Sequence, residues 1–429
     1  MIEPLTSNTQ AILLLTAPLI AGRSESSRDL LTLGEYNRLA RILREKQRQP
    51  ADLIGPDAQE VIELCAQPFG RARLDALLGR GFLLSQAVER WNTRAIWVIS
   101  RADPRYPKRL KARLKEDAPP LLYGCGEIAL LEKGGLAVVG SRHVDDELIS
   151  FTENVGRLAA KAHRTIISGG AKGIDRAAMH GALLADGDVA GVMADSLERA
   201  ALARDNREPL MEGRLILISP YDPAAGFNVG HAMQRNKIIY ALADAGLVVT
   251  SDFEKGGTWT GAIEQLERFH FVPVFVRNGS NAGRGNSALI QHGGLPWPNP
   301  KDTEELGQML SAALESVAAE PKQEALSFAL KEQPIVYATS VKPVEPATIG
   351  EVPKVSSSPA EVLFKIVREM LRRELAVGKT EAEIVSLLDV TKSQAKEWLT
   401  RLIKEGTVEK VKKTKPVQYR ASIVSDWLL

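Results

Sequence analysis

Apolar residues along this chain follow two different periods. Up to about residue 95 they recur at helical spacing, in stretches such as GEYNRLARILREKQ and DAQEVIELCAQ, with no alternating strand. GRARLDALLGRGFLLSQAVERW predicts a pair of helices broken at Gly79 or Gly81. From about 96 the pattern shifts to short β-branched runs: GLAVVG, RTIISG, DVAGVM, GRLILIS, AGLVVT and FVPVFV. The central positions of these runs are continuously apolar, as strands covered on both faces require, and the runs mostly lie a helix-length apart. They predict βαβ units and a parallel sheet. Between the first two runs, Leu148, Phe151, Val155, Leu158 and Ala162 form the packing face of a helix. Residues 316–358, ending in TSVKPVEPATIGEVPKVSSS, have the composition of an extended linker. Beyond them EVLFKIVREMLRREL, TEAEIVSLLD and TKSQAKEWLTRLIKEG read as three helices, closed by Gly406 and followed by a hairpin over TVEKVKKTKPVQYRAS.

The expected class is α/β: a Rossmann-like parallel sheet domain over 96–315, flanked by a helical N-terminal domain over 1–95. A linker over 316–358 leads to a small C-terminal domain over 359–429. Composition narrows the function. A hydrophobic content of 44% with 25% charged residues is that of a globular chain, and a net charge of +2 rules out a polyanion sponge while leaving local basic surfaces open. AILLLTAPLIAG is too short to span a bilayer, and no basic residue precedes it as in a secretory signal. Two cysteines are too few for a disulfide framework. The expectation is a cytoplasmic protein with no membrane partner, no metal and no cofactor.

The chemistry gathers where strands hand over to helices. In IISGGAKGIDRAAMHGAL, Ser168 ends a strand, and Gly169, Gly170 and Gly173 let backbone approach a ligand ahead of a helix whose N-terminus favours an anion. Lys172 adds a cation. Ser141 and Arg142 follow the first parallel run. Arg235, Asn236 and Lys237 sit at the entry to a helix, and Gly256, Gly257 and Thr258 form a second glycine–hydroxyl turn. Arginine forks, hydroxyls and backbone N–H groups together suit phosphate. Neither the P-loop nor the dinucleotide fingerprint occurs in these loops, and no histidine has the spacing of a metal triad.

VVGSR, SGGAKGIDRAAMHGAL, RDN, QRNKII and GGTWTGA, in that order, resemble the DNA processing protein A (DprA/Smf) family, as does the upstream DPRYPKRLKARLKEDAPPLLYGCG. The resemblance covers roughly residues 100–295. It implies a Rossmann-like domain that binds single-stranded DNA, hands it to a RecA-type recombinase and commonly forms homodimers. It gives Ser141, Arg142, Ser168, Gly169, Gly170, Lys172, Gly173, Arg235, Asn236 and Lys237 a DNA-facing role. Lys172 and Lys237 stand where that family usually has arginine, Met179 where it has histidine, and Ser251 where it has glutamate. Two alternatives stay open. One is a nucleotide-ligand sensor; the other is an N-glycoside hydrolase similar to the LOG-type enzymes, with Gly256, Gly257, Thr260 and Glu264 echoing their turn.

The C-terminal segment resembles a winged helix. Residues 361–429 carry 14 Lys and Arg against 10 Asp and Glu. A third helix capped by Thr391 would present Lys392, Gln394 and Lys396, and the wing Lys410, Lys412, Lys413 and Lys415. The expected partner there is DNA, duplex or single-stranded.

Overall fold

The computed structural model describes residues 4–20, 30–279 and 281–319. In the C-terminal part it describes 368, 371, 375, 378–381, 383, 384, 398–403, 405–411 and 418–421. The chain divides into two compact units, Met1–Phe328 and Ala329–Leu429.

The first unit opens with five helices: α1 (Ser7–Thr16), α2 (Leu33–Glu45), α3 (Ala58–Cys65), α4 (Arg71–Leu78) and α5 (Gly81–Asn92). Thr6 caps α1, and a reciprocal capping box between Thr32 and Glu35 starts α2. The break between α4 and α5 falls at Gly79, as the sequence predicts. Three arginines of this region are engaged within it, Arg71 on the surface and Arg73 and Arg80 partly buried. Arg73 pairs with Glu35 at 2.7 Å, Arg71 with Glu63, and Arg80 donates to the carbonyls of Leu14 and Ala17.

Nine strands follow: β1 (Trp97–Ser100), β2 (Leu121–Cys125), β3 (Leu136–Gly140), β4 (Ile166–Ser168), β5 (Val189–Val192), β6 (Leu215–Ser219), β7 (Ala245–Thr250), β8 (Val274–Val276) and β9 (Leu295–Pro296). They form one sheet in the order β1-β2-β6-β5-β4-β3-β7-β8-β9. From β3 to β9 every pairing is parallel, and all six predicted runs lie there. The sheet is wider than the sequence predicts. β1 and β2 add an antiparallel edge onto β6. LLYGC has no β-branched residue and follows Pro119–Pro120, and β9 is two residues long, so neither carries a strand signal.

The connecting helices are α6 (Lys108–Leu114), α7 (Asp146–Lys161), α8 (Ile174–Leu183), α9 (Leu197–Ala201), α10 (Arg204–Met211), α11 (Val229–Leu242), α12 (Gly256–Glu264), α13 (Gly283–Gln291) and α14 (Thr303–Ala319). Alternate strand residues feed two cores. Leu136, Val138, Ile166, Val189, Leu215 and Leu247 face α7, α8 and the N-terminal helices in one continuous cluster. Ala137, Val139, Ile167, Val192, Ile216 and Val248 face α6, α11 and α12. The chain winds outward from β3 through β4, β5 and β6, then returns to β3's other side as β7. That reversal is a topological switch point, where loops leaving β3 and β7 diverge and open a crevice. Among the described residues no helix is long and apolar enough to cross a membrane.

In the second unit β10 (Lys379–Thr380), β11 (Val408–Lys410) and β12 (Gln418–Ala421) form an antiparallel sheet in the order β10-β12-β11. The β11–β12 pair lies where the sequence predicts a hairpin. Leu371, Leu375, Ile384, Leu399, Leu402, Val408 and Tyr419 form its core. Lys392, Gln394, Lys396, Lys412, Lys413 and Lys415 lie outside the described residues, as does the side chain of Lys410.

Candidate nucleic-acid interface

The glycine turn after β4 is built on a buried ion pair. Asp175, in the first turn of α8, is buried, and the backbone N–H groups of Ala171, Gly169 and Gly140 donate to its carboxylate. Arg235 reaches it from α11, with Nη1 3.7 Å from Asp175 Oδ2 and 3.0 Å from the carbonyl of Val192. Arg235 is 5% exposed. Burial pushes the Asp175 carboxyl above the usual carboxylate range, against the opposing pull of Arg235 and the three N–H donors. Arg235 keeps its charge because a guanidinium does not deprotonate in proteins.

This arrangement explains Gly169. A Cβ there would overlap the Arg235 guanidinium, so the missing side chain makes room for an arginine beneath the loop. Gly173, at φ +89°, turns the chain into α8 with Ser141 and Arg142 carbonyls packed against it. Ser168 is fully buried, and its hydroxyl donates to the Val138 carbonyl at 2.6 Å, tying β4 to β3. Ser141 bonds across the switch point, from backbone N–H to the Thr250 carbonyl at 3.2 Å.

Above this framework lies a pocket of about 210 Å³, lined by Arg142, Gly169, Gly170, Lys172, Asp195 and Phe227, with Arg235 in its wall. Arg142 and Lys172 are exposed, and among the described residues neither has a carboxylate partner. Arg142 lies over the Phe227 ring, 4.9 Å from its centroid, and Phe227 is 56% exposed. Arg235 Nε is buried with no hydrogen-bond partner.

The remaining predicted residues do not join this pocket. Lys237 lies two positions past Arg235 on α11 and so points to the opposite face. There its ammonium is 3.8 Å from Glu264 and over the Phe269 ring. Asn236 donates to the Gly257 carbonyl at 2.9 Å and joins α11 to α12. Gly256, Gly257 and Thr258 form the first turn of α12, on that same side. Glu264 is the acid that the hydrolase alternative needs. It is engaged by Lys237, while Thr260 donates back to the Gly256 carbonyl. Among the described residues no cluster of His, Cys, Asp and Glu is placed to hold a metal.

Two participants escape the sequence reading. Phe227 lies in a loop, DPAAGFNVGHAM, that shows no periodicity; its signal is a lone large aromatic in a polar stretch. Asp175 reads as an ordinary acidic residue in a helix's first turn, and nothing in the sequence shows that its partner is Arg235.

Fold and site define a Rossmann-like domain with a crevice over the C-terminal ends of β3, β4 and β5, walled by exposed cations and an aromatic ring. Comparisons with known proteins narrow this class. Residues 97–306 match the family model for DNA recombination-mediator protein A. The chain is 29% identical over 217 residues to the DNA processing protein DprA of Bacillus subtilis strain 168, covering 49% of this chain and 71% of that protein. The X-ray structure of DNA processing protein A from Streptococcus pneumoniae superposes with a TM-score of 0.48 and 22% identity, covering 65% of this chain and 98% of that one. A structure of DNA processing protein A from Helicobacter pylori, described for its single-stranded DNA binding mode, gives 0.41 and 22%, covering 51% and 96%. Over residues 97–306 the sheet domain is thus similar to the DprA/Smf family.

Proposed function

We propose that this chain binds single-stranded DNA in the crevice over β3, β4 and β5, as a DNA-processing protein that presents the strand to a RecA-type recombinase. The observation that carries the reading is the 210 Å³ pocket with two unpaired, exposed cations and an exposed aromatic ring at its mouth. Arg142 and Lys172 serve as phosphate contacts. Phe227 offers a stacking face that only an unpaired base can use, which favours a single strand over a duplex. Asp175 and Arg235 hold the loop in shape from below. In the hydrolase alternative Glu264 would act as the acid, but it is ion-paired on the far side of α11. The C-terminal unit, with its lysine-rich 410–415 segment, is proposed as a second DNA contact.

The test is a competition assay in which a labelled 20-nucleotide oligo-dT is challenged with unlabelled oligo-dT, a duplex of equal length and nucleoside monophosphates. Displacement by single strand well ahead of duplex, with none by mononucleotides at comparable concentration, is the expected order. Displacement by a mononucleotide at lower concentration than by oligo-dT would replace this reading with a nucleotide sensor.

A further inference from the structure

The crevice does not end at the pocket. Arg142, Gly170, Lys172 and Met193 line a second, adjoining groove of about 760 Å³, more than three times the size of the first. It runs between α8 and α9, and two of its lining residues are arginines that play no part in the pocket. Arg176 stands on the exposed face of α8, one turn before His180, and Arg199 faces it from α9. Both are exposed, and among the described residues neither has a carboxylate partner. The acids that share the lining are few. Glu153 is engaged by His180 and Arg157, at 2.9 and 3.0 Å, and Asp205 is an exposed residue in the first turn of α10. Between the arginines the floor is apolar, formed by Ala177, Leu183, Met193 and Leu217.

The outer wall is held firmly. Glu198, next to Arg199, forms an ion pair at 2.6 Å with Arg94, in the turn between α5 and β1, and its backbone N–H donates to the Pro223 carbonyl at 2.9 Å. The turn after α5 and the loop after β6 thus fix the position from which Arg199 projects.

Cationic walls over an apolar floor suit a chain that carries a charge on every unit and an apolar face between charges. A free phosphate would not use the floor, and a duplex keeps its bases stacked inside, out of reach of it. We infer that the α8–α9 groove carries the nucleotides adjoining the one in the pocket, with Arg176 and Arg199 on their phosphates and the bases laid on the floor. This inference rests on the single-strand reading of the pocket.

The experiment measures 20-nucleotide oligo-dT binding by the full chain across a salt series, for three variants. One pairs Arg176→Ala with Arg199→Ala, a second pairs Arg142→Ala with Lys172→Ala, and the third combines all four. Each phosphate contact on a single strand contributes about 0.7 to the slope of log affinity against log salt. Each double variant is expected to lower the slope by about 1.4 and the quadruple variant by about 2.8. Arg176→Lys with Arg199→Lys, which keeps both charges, is expected to hold the slope of the unaltered chain. An unchanged slope for the Arg176/Arg199 variant beside a lowered slope for Arg142/Lys172 would overturn the groove and leave the pocket standing. A slope unaffected by Arg142/Lys172 would overturn both.

Discussion

Arg235→Ala separates a structural arginine from a ligand-binding one. The sequence motif gives Arg235 a DNA-facing role, yet its side chain is 5% exposed and lies under Gly169, against Asp175. Truncation removes the cation from a buried carboxylate, leaves the Val192 carbonyl without its donor and opens a void under the glycine turn. Removing one partner of a buried ion pair costs about 3–5 kcal/mol. In a domain of this size each kcal/mol is about 2 °C of melting temperature, so the variant should melt about 6–10 °C lower. The double variant Arg235→Met, Asp175→Asn removes both charges while keeping an oxygen to accept the N–H groups of Gly169 and Ala171. It should recover more than half of that loss. Thermal unfolding followed by circular dichroism on all three proteins is the assay. An Arg235→Ala chain that melts within about 2 °C of the unaltered protein, yet no longer binds oligo-dT, would refute the argument and make Arg235 a direct phosphate ligand.

Phe227→Ala should cost about 1–3 kcal/mol of single-strand affinity without altering the salt slope, because stacking releases no counterions; a lowered slope in the same titration would contradict this. Glu35 is held at a pKa of about 2, below its usual 4.5, first by the hydrogen bond from Arg73. A depressed carboxyl stabilises the fold above its unfolded pKa, and that contribution fades as pH falls from 4.5 towards 2. Glu35→Gln keeps the capping geometry and should cost about 1 kcal/mol at neutral pH, after allowing for solvent screening. In denaturant titrations the difference should vanish near pH 2; an equal deficit at both pH values would place it in the cap instead. A chain ending at residue 320 should bind short oligonucleotides like the full chain and long ones more weakly, since linked sites gain through effective concentration. Equal binding to long strands would make the C-terminal unit a protein-docking module.

The parallel strands were legible because burial on both faces leaves an unbroken apolar run, and the switch point follows from their order. The antiparallel pair β1 and β2 was not, since β1 is only four residues long, LLYGC of β2 follows two prolines, and the two are held by pairing with each other and, through β2, with β6. For the candidate site, the sequence marked two of the loops that the fold brings together at the pocket but not the direction of the side chains within them. Lys172 and Arg142 face the crevice. Ser168 and Asn236 serve as internal ties, and Lys237 turns to Glu264. Adjacent positions on a helix or a strand end point to different faces, and a motif read along the chain does not separate them. Arg176 and Arg199 lie 23 positions apart and meet only because α8 and α9 wall one groove.

The central claim is that Arg142 and Lys172 neutralise backbone phosphates of a single strand. Fluorescence anisotropy of labelled oligo-dT, titrated with the unaltered chain and with the Arg142→Ala, Lys172→Ala variant over a fourfold range of salt, tests it most directly. A slope lower by about 1.4, similar on oligonucleotides of unrelated sequence, is the predicted result. Equal affinities and equal slopes for the two proteins would contradict it.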